Sequence, residues 1–207
     1  MNQLLNIDDK ALIIKDFLPT DLFKKINKFD FSKCNKGNKE LSKQSWQKSL
    51  FTDQYNNETQ ENIEAYDNIY LKNAVLADKT GRYLEKEKFD DYLLKEIADI
   101  VFLSPHIPTD RKKIGLIINY YEYKKYAGIN WHNDKSHTLN FSLYIHDLWD
   151  ENWGGETLID TGRGLPLVSY PYSNTMLIIK NDVPHRVCPV VVDKTRKVLQ
   201  GRIRYYE

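Results

Sequence analysis

The sequence predicts a mainly β fold with flanking helices. An antiparallel sandwich or barrel is expected over residues 114–207, buttressed by a helical and irregular N-terminal part over 1–113. Three observations carry this expectation. From residue 114 onward, six short stretches rich in β-branched and aromatic residues follow one another: 114–123, 138–146, 156–160, 174–180, 186–192 and 196–206. Clusters of Gly, Pro, Asn or Asp separate them. No helical pattern stands between them, as a doubly wound parallel sheet would require. The strongest three- and four-residue periodicity lies upstream, in YLEKEKFDDYLLKEIADIVFL (83–103), where Phe89, Leu93, Ile97 and Ile100 or Val101 form one apolar stripe. At 207 residues without an internal repeat, 1–207 reads as a single domain with a sizeable core.

The remaining elements follow in chain order. ALIIKDFLPTDLFKKINKF (11–29) predicts a strand, a turn at Pro19 and a helix capped by Thr20, whose hydroxyl can accept from a first-turn amide. Residues 30–80 are polar, with scattered Trp46, Phe51, Tyr55, Tyr66 and Tyr70, and are expected to form irregular cover with short elements, or a lid. Pro105 and Pro108 close the helix of 83–103.

Thirty basic and 29 acidic residues leave a net charge of +1, so no global field draws the chain to nucleic acid or to a membrane surface. No run of about 18 apolar residues is present to span a bilayer. The start MNQLLNIDDK has neither the basic region nor the apolar core of a secretory signal. Two cysteines, Cys34 and Cys188, make no disulfide framework. Together these point to a reducing, cytoplasmic setting. The lean toward Asn, Lys, Ile, Asp and Tyr is the codon imprint of an AT-rich genome, bacterial or viral.

The chemistry concentrates around WHNDKSH, residues 131–137. In extended backbone, residues i and i+2 point to the same face, so the imidazole of His132 and the carboxylate of Asp134 can converge. A third ligand must come from another strand, and His185 in NDVPHRVCPV is the candidate. Two imidazoles and one carboxylate leave one side of an octahedron open, the ligand set of non-haem Fe(II) that binds a chelating cosubstrate and oxygen together; zinc can use the same side chains. His-x-Asp alone is a weak motif, and its surroundings strengthen it. Arg196 follows on the next predicted strand and can clamp a carboxylate through paired hydrogen bonds. Tyr121 and Tyr123 share one face of their strand, and either phenol can donate to the same carboxylate. His106 and His146 have no partner at ligand spacing and read as structural, and His137 as a solvated turn residue. Trp131, Trp149 and Trp153 flank the presumed mouth, with Trp131 and Trp153 the candidates for substrate contact and loop packing the alternative.

Taken in order, these residues resemble the 2-oxoglutarate and Fe(II)-dependent oxygenases, specifically the prolyl 4-hydroxylase-like branch. The resemblance covers roughly 83–205: a helix, LIINYYEY, WHND, TLNFSLYIH, DLWDENWGGETLI, NTMLIIK, VPHRVCPV, then Arg196 with Gly201 five residues on. The opening ALIIKDFLPTDLFKKI also resembles that family's first strand and helix. The resemblance implies a double-stranded β-helix (jelly-roll) core of two sheets with a metal at its open end. It implies that His132, Asp134 and His185 bind Fe(II), that 2-oxoglutarate chelates the metal, and that Arg196, helped by Tyr123 or Tyr121, holds the 5-carboxylate. O2 is the second cosubstrate and ascorbate a supporting reductant. The implied activity is hydroxylation of a side chain, a prolyl residue of a protein or peptide, with release of succinate and CO2.

Two departures stand out: Val198 where the family often has Ser or Thr, and Arg202 where it often has an aromatic residue. The Arg196/Arg202 pair and Asn119 are similar to the demethylases of alkylated nucleic acids, while GGE and the WDENW turn fit the prolyl hydroxylase branch better. A nucleic-acid demethylase and a non-catalytic jelly-roll binding module therefore stand as alternatives, the second weakened because a structural barrel has no need of His, Asp, His and Arg so placed.

Overall fold

The computed structural model describes residues 4–7, 9–29, 68–69, 74–78, 83–86, 92–107, 113–134 and 139–206. Its centre is the antiparallel pair of β6 (Lys113–Tyr123) and β13 (Arg196–Tyr206), which match residue for residue from Arg196 opposite Tyr123 to Tyr206 opposite Lys113. Around this pair the larger sheet extends both ways. On one side lie β8 (Leu139–Tyr144), β11 (Met176–Lys180), β2 (Ala11–Ile14) and β1 (Leu4–Ile7); on the other β4 (Ala74–Asp78) and β5 (Tyr83–Lys86), with β3 (Asn68–Ile69) also on β6. The smaller sheet runs β10 (Leu167–Ser169), β9 (Thr157–Ile159), β12 (His185–Val187), β7 (Ile129–His132). All the pairings between these strands are antiparallel; residues 114–206 form the sandwich expected of them, and β1–β5 extend its larger sheet with strands from the N-terminal part.

The register explains why LIINYY and FSLYI carry apolar or aromatic residues on both faces. Leu116, Ile118, Phe141, Leu143, Ile178 and Leu199 of the larger sheet form one buried cluster with Leu22 and Ile26 of α1 (Thr20–Asn27) and Ile97, Ala98 and Val101 of α2 (Tyr92–Leu103). The other face buries Tyr121, Tyr123, Tyr144, Leu177 and Val198 against Ile129, Ile159 and Val187 of the smaller sheet. A sheet covered on both faces loses the simple in–out alternation of a half-solvated one, and each side chain so buried contributes on the order of 1.5–3 kcal/mol. Gly201 makes the β8–β13 contact feasible: a Cβ there would stand 1.9 Å from Cζ of Phe141, its cross-strand partner.

Several expectations are corrected. Helix 83–103 is shorter than its periodicity suggested: α2 begins at Tyr92, and Tyr83–Lys86 pair with β4 as a strand. Pairing at the sheet edge overrides the local helical preference there. Phe89 of that stripe lies outside the described residues. Thr20 does not cap α1. It lies within the first turn after Pro19, no side-chain cap bond forms, and the Phe23 amide bonds to the Pro19 carbonyl at 2.9 Å. Asp21 in the first turn and Lys24 and Lys25 in the last still suit the helix dipole. Within 30–80, Asn68–Ile69 and Ala74–Asp78 are strands, in keeping with the short elements expected there. The rest, with Trp46, Phe51, Tyr55, Tyr66, Tyr70 and Cys34, lies outside the described residues, so the lid does too. The strand read as 186–192 is only His185–Val187. Pro189 offers no amide to continue a ladder, and Val190 makes isolated bridges to Lys125 and Gly154 instead.

Candidate metal centre

His132 is the last residue of β7 and His185 the first of β12, and the ladder sets them directly opposite each other, with ring centroids 4.3 Å apart. Asp134 lies just past the end of β7, where its amide bonds to the Asn181 carbonyl at 3.0 Å beyond β11. That bond turns the carboxylate back toward the imidazoles: one ligand atom from each of the three residues lies within 4.8 Å of the others. His185 Nδ1–H donates to the Val183 carbonyl at 3.0 Å, which leaves the Nε2 lone pair directed at the cluster. Burial, then the neighbouring His132, lowers the His185 pKa from its ordinary value, so the ring stays neutral and able to ligate. Nε2 stands 3.7 Å from Asp134 Oδ2, too far for a hydrogen bond, and Oδ2 is buried without a partner among the described residues. Two acceptor atoms facing each other with no proton between them call for a cation. The residues fit a metal ion.

Arg196 completes the constellation from the other sheet. The chain leaves β12 in the smaller sheet and crosses to start β13 in the larger, so the arginine comes from a different sheet than His185. It is only 1% exposed. Its guanidinium lies 4.5 Å from the Tyr123 ring centre and 4.9 Å from that of Tyr144, and Nη2 donates to the Tyr144 phenol at 3.3 Å. Nε and Nη1 are buried without a partner among the described residues. A desolvated cation with idle donors is costly unless a carboxylate completes it. His132, Asp134, His185, Tyr123, Asn140 and Arg196 line one cavity, so a ligand that fills it meets both the metal cluster and the guanidinium.

The tyrosines divide. Tyr123 faces Arg196 across the ladder and lines the cavity; Tyr121, one row on, faces Val198 and is buried between the sheets. Tyr144 was not singled out by sequence reasoning. It stands opposite Val198, and its phenol lies beside the arginine. Its hydroxyl also lies 3.4 Å from Thr157 Oγ1 of the smaller sheet. A signal existed: Tyr144 ends a strand beside two tyrosine-bearing ones, but only the register shows that it shares a face with Arg196. Asn140 and Gln200 also line the cavity and were likewise missed. The GGE motif gains a reason: at Gly155, φ +73°, a Cβ would sit 3.1 Å from Cδ of Arg196 and 3.2 Å from the Trp149 ring.

The tryptophans separate as well. Trp131 is 42% exposed beside His132. Trp153 is half-buried, with Lys194 Nζ 5.4 Å over its ring, and packs edge-on against Trp149. Trp149 is buried, and its indole N–H donates to the Gly154 carbonyl at 2.9 Å. His146 is structural as expected. Its Nδ1 accepts the Lys197 amide at 3.1 Å, its Nε2–H donates to the Pro171 carbonyl at 2.6 Å, and burial lowers its pKa to about 4. His106 sits in the turn after α2, and His137 and Lys135 lie outside the described residues.

Residues 118–204 match the model of the 2OG-Fe(II) oxygenase superfamily. No curated protein matches the sequence. Among solved structures, the fold is similar to a 2OG-Fe(II) oxygenase family oxidoreductase from Burkholderia pseudomallei, at 12% identity and a TM-score of 0.63 over 96% of this chain and 86% of that one. A prolyl hydroxylase from Trichoplax adhaerens, in complex with a hypoxia inducible factor peptide fragment, matches at 14% identity and TM-score 0.58, over 96% and 84%. A Pseudomonas putida prolyl-4-hydroxylase matches at 17% identity and TM-score 0.55, over 96% and 94%. The description of that superfamily names 2-oxoglutarate and Fe(II), and the His132, Asp134 and His185 cluster is a candidate ligand set for such a metal.

Proposed function

We propose that this chain, whose residues 118–204 match the model of the 2OG-Fe(II) oxygenase superfamily, is a 2-oxoglutarate-dependent oxygenase that hydroxylates a prolyl side chain of a protein or peptide. In this reading 1–207 is one oxygenase domain whose helices buttress the outer face of the larger sheet, and it works in the cytoplasm. The observation that carries the reading is the complementary pair of idle groups in one cavity. Acceptor atoms of Asp134 and His185 converge at one end, and Arg196 keeps idle donors at the other. A dicarboxylate that also ligates a metal answers both.

His132, Asp134 and His185 would hold Fe(II), which when loaded supplies the coupling of 2-oxoglutarate decarboxylation to C–H hydroxylation. Neutral imidazoles are needed there, and the Val183 carbonyl holds the His185 tautomer that keeps Nε2 free. Arg196 grips the distal carboxylate, with Tyr123 and Tyr144 flanking the guanidinium and fixing its plane. Burial excludes water from this end, which strengthens the charged contact. Val198, Leu177 and Ile179 give the cosubstrate's methylenes an apolar wall. Trp131, exposed next to His132, and Trp153 would meet the substrate chain at the rim. The exposed ring of Trp131 suits a proline, whose apolar ring stacks on aromatic faces.

The test is incubation of purified protein with Fe(II), 2-oxoglutarate and candidate peptides, followed by mass spectrometry. The expected result is succinate formation with a gain of one oxygen on proline, both lost in His132→Ala. Formaldehyde release from a methylated oligonucleotide, without peptide oxidation, would move the substrate class to nucleic acid. Absence of any 2-oxoglutarate binding by the metal-loaded protein would end the oxygenase reading.

A further inference from the structure

Asn140 lies on the inner face of β8 and has no role in the assignment above. It is 4% exposed, and both its Oδ1 and Nδ2 are buried without a hydrogen-bond partner among the described residues. It lines the same cavity as Asp134, His185 and Arg196. Its position along the strand is informative. Asn140 pairs with Ile179 of β11, and Asn181, two residues further on, accepts the Asp134 amide. Asn140 and Asp134 are thus held against the same end of β11. Four residues along β8, on the same face, Tyr144 meets Arg196. The inner face of β8 therefore carries a phenol beside the guanidinium and a carboxamide beside the metal cluster.

A buried carboxamide with neither group bonded is unfavourable in a folded chain, and such groups persist where a ligand completes them. The occupant must be small, because Asn140 is 4% exposed and both amide atoms are buried in the cavity. It must present acceptors to Nδ2 near the metal ligands. The end of 2-oxoglutarate opposite to Arg196 carries a carboxylate and a keto oxygen, all acceptors. We propose that Asn140 is a binding residue for the metal-proximal carboxylate of 2-oxoglutarate, donating to it from Nδ2. The cosubstrate is then gripped at both ends by the larger sheet. This inference rests on the oxygenase reading.

Titration calorimetry of the Mn(II)-loaded protein with two ligands tests it. Pyruvate keeps the metal-binding end of 2-oxoglutarate and lacks the distal carboxylate. Asn140→Leu is expected to weaken both ligands by about 10- to 100-fold, the loss of one hydrogen bond to a charged group. Arg196→Met weakens 2-oxoglutarate alone. Without ligand, N140L melts at or above the wild-type temperature, because an unbonded amide has been replaced by an apolar group of similar size. Asn140→Ser, which keeps a hydroxyl in a smaller volume, serves if the leucine is not accommodated, and again lowers both affinities. Wild-type affinities for both ligands in N140L or N140S overturn the assignment of Asn140 and leave the oxygenase reading intact. Wild-type protein that binds neither ligand overturns both.

Discussion

Replacing Arg196 with methionine separates binding from folding. In the ligand-free protein the change removes one hydrogen bond to Tyr144, about 1 kcal/mol. It also removes two cation–aromatic contacts, at 4.5 and 4.9 Å, each up to about 2 kcal/mol when desolvated. Against these stands relief of a cation 1% exposed with two idle donors and no acidic partner among the described residues; its desolvation costs several kcal/mol. Methionine keeps methylenes to pack on Gly155. The terms nearly cancel, so ligand-free stability should change by less than about 2 kcal/mol. Binding has no such compensation. Removing one partner of a buried charged contact costs about 2–5 kcal/mol, or roughly 30- to several thousand-fold in 2-oxoglutarate affinity. Urea unfolding followed by tryptophan fluorescence reads the first quantity, and calorimetry of the Mn(II)-loaded protein the second. An unchanged affinity, or a ligand-free stability loss above about 4 kcal/mol, would show that Arg196 is a structural cation and refute the argument.

Asp134→Asn keeps the shape of the third ligand and removes its charge; Mn(II) affinity should fall by more than about 100-fold, beyond what outer-shell changes cost. Unaltered Mn(II) titration in that variant would put the ion elsewhere. His146 has a pKa lowered from 6.5 to about 4, chiefly by burial. Between these values the unfolded chain takes up a proton that the folded one refuses, so stability falls as pH drops through that window. The loss between about pH 7 and pH 5 is roughly 2 kcal/mol. Urea midpoints at both pH values should converge in His146→Phe, and an equally steep loss in the variant would exclude His146 as the cause. Gly201→Ala forces a Cβ to 1.9 Å from the Phe141 ring; overpacking of this kind costs about 1–3 kcal/mol or more. Phe141→Leu in the same chain should recover part of it, and strict additivity of the two changes would disprove the clash.

Which parts of this protein were readable in advance follows from how local each signal is. The strands from 114 to 206 announced themselves through β-branched and aromatic runs broken by turn residues. Arg196–Tyr206 needed no correction, because nothing in that stretch competes with extended structure. The helix of 83–103 was over-read because Tyr83–Lys86 is neutral between states until β4 supplies an edge to pair with. The short strands Leu4–Ile7 and Leu167–Ser169 gave too few residues for a period to emerge.

Residue chemistry by itself singled out His132, Asp134 and His185 as candidate metal ligands and Arg196 as a candidate carboxylate clamp, and the structure brings all four to one cavity. Only the tertiary structure decided how they meet. His132 faces His185 across 52 intervening residues because β7 and β12 pair in one sheet, while Arg196 arrives from the other. Tyr144 stands by the guanidinium, Gly155 lies under it and Asn140 lines the metal end because register carries them there. Cross-strand pairing is a contest among all strands for burial and hydrogen bonds, and no short stretch of residues encodes its outcome.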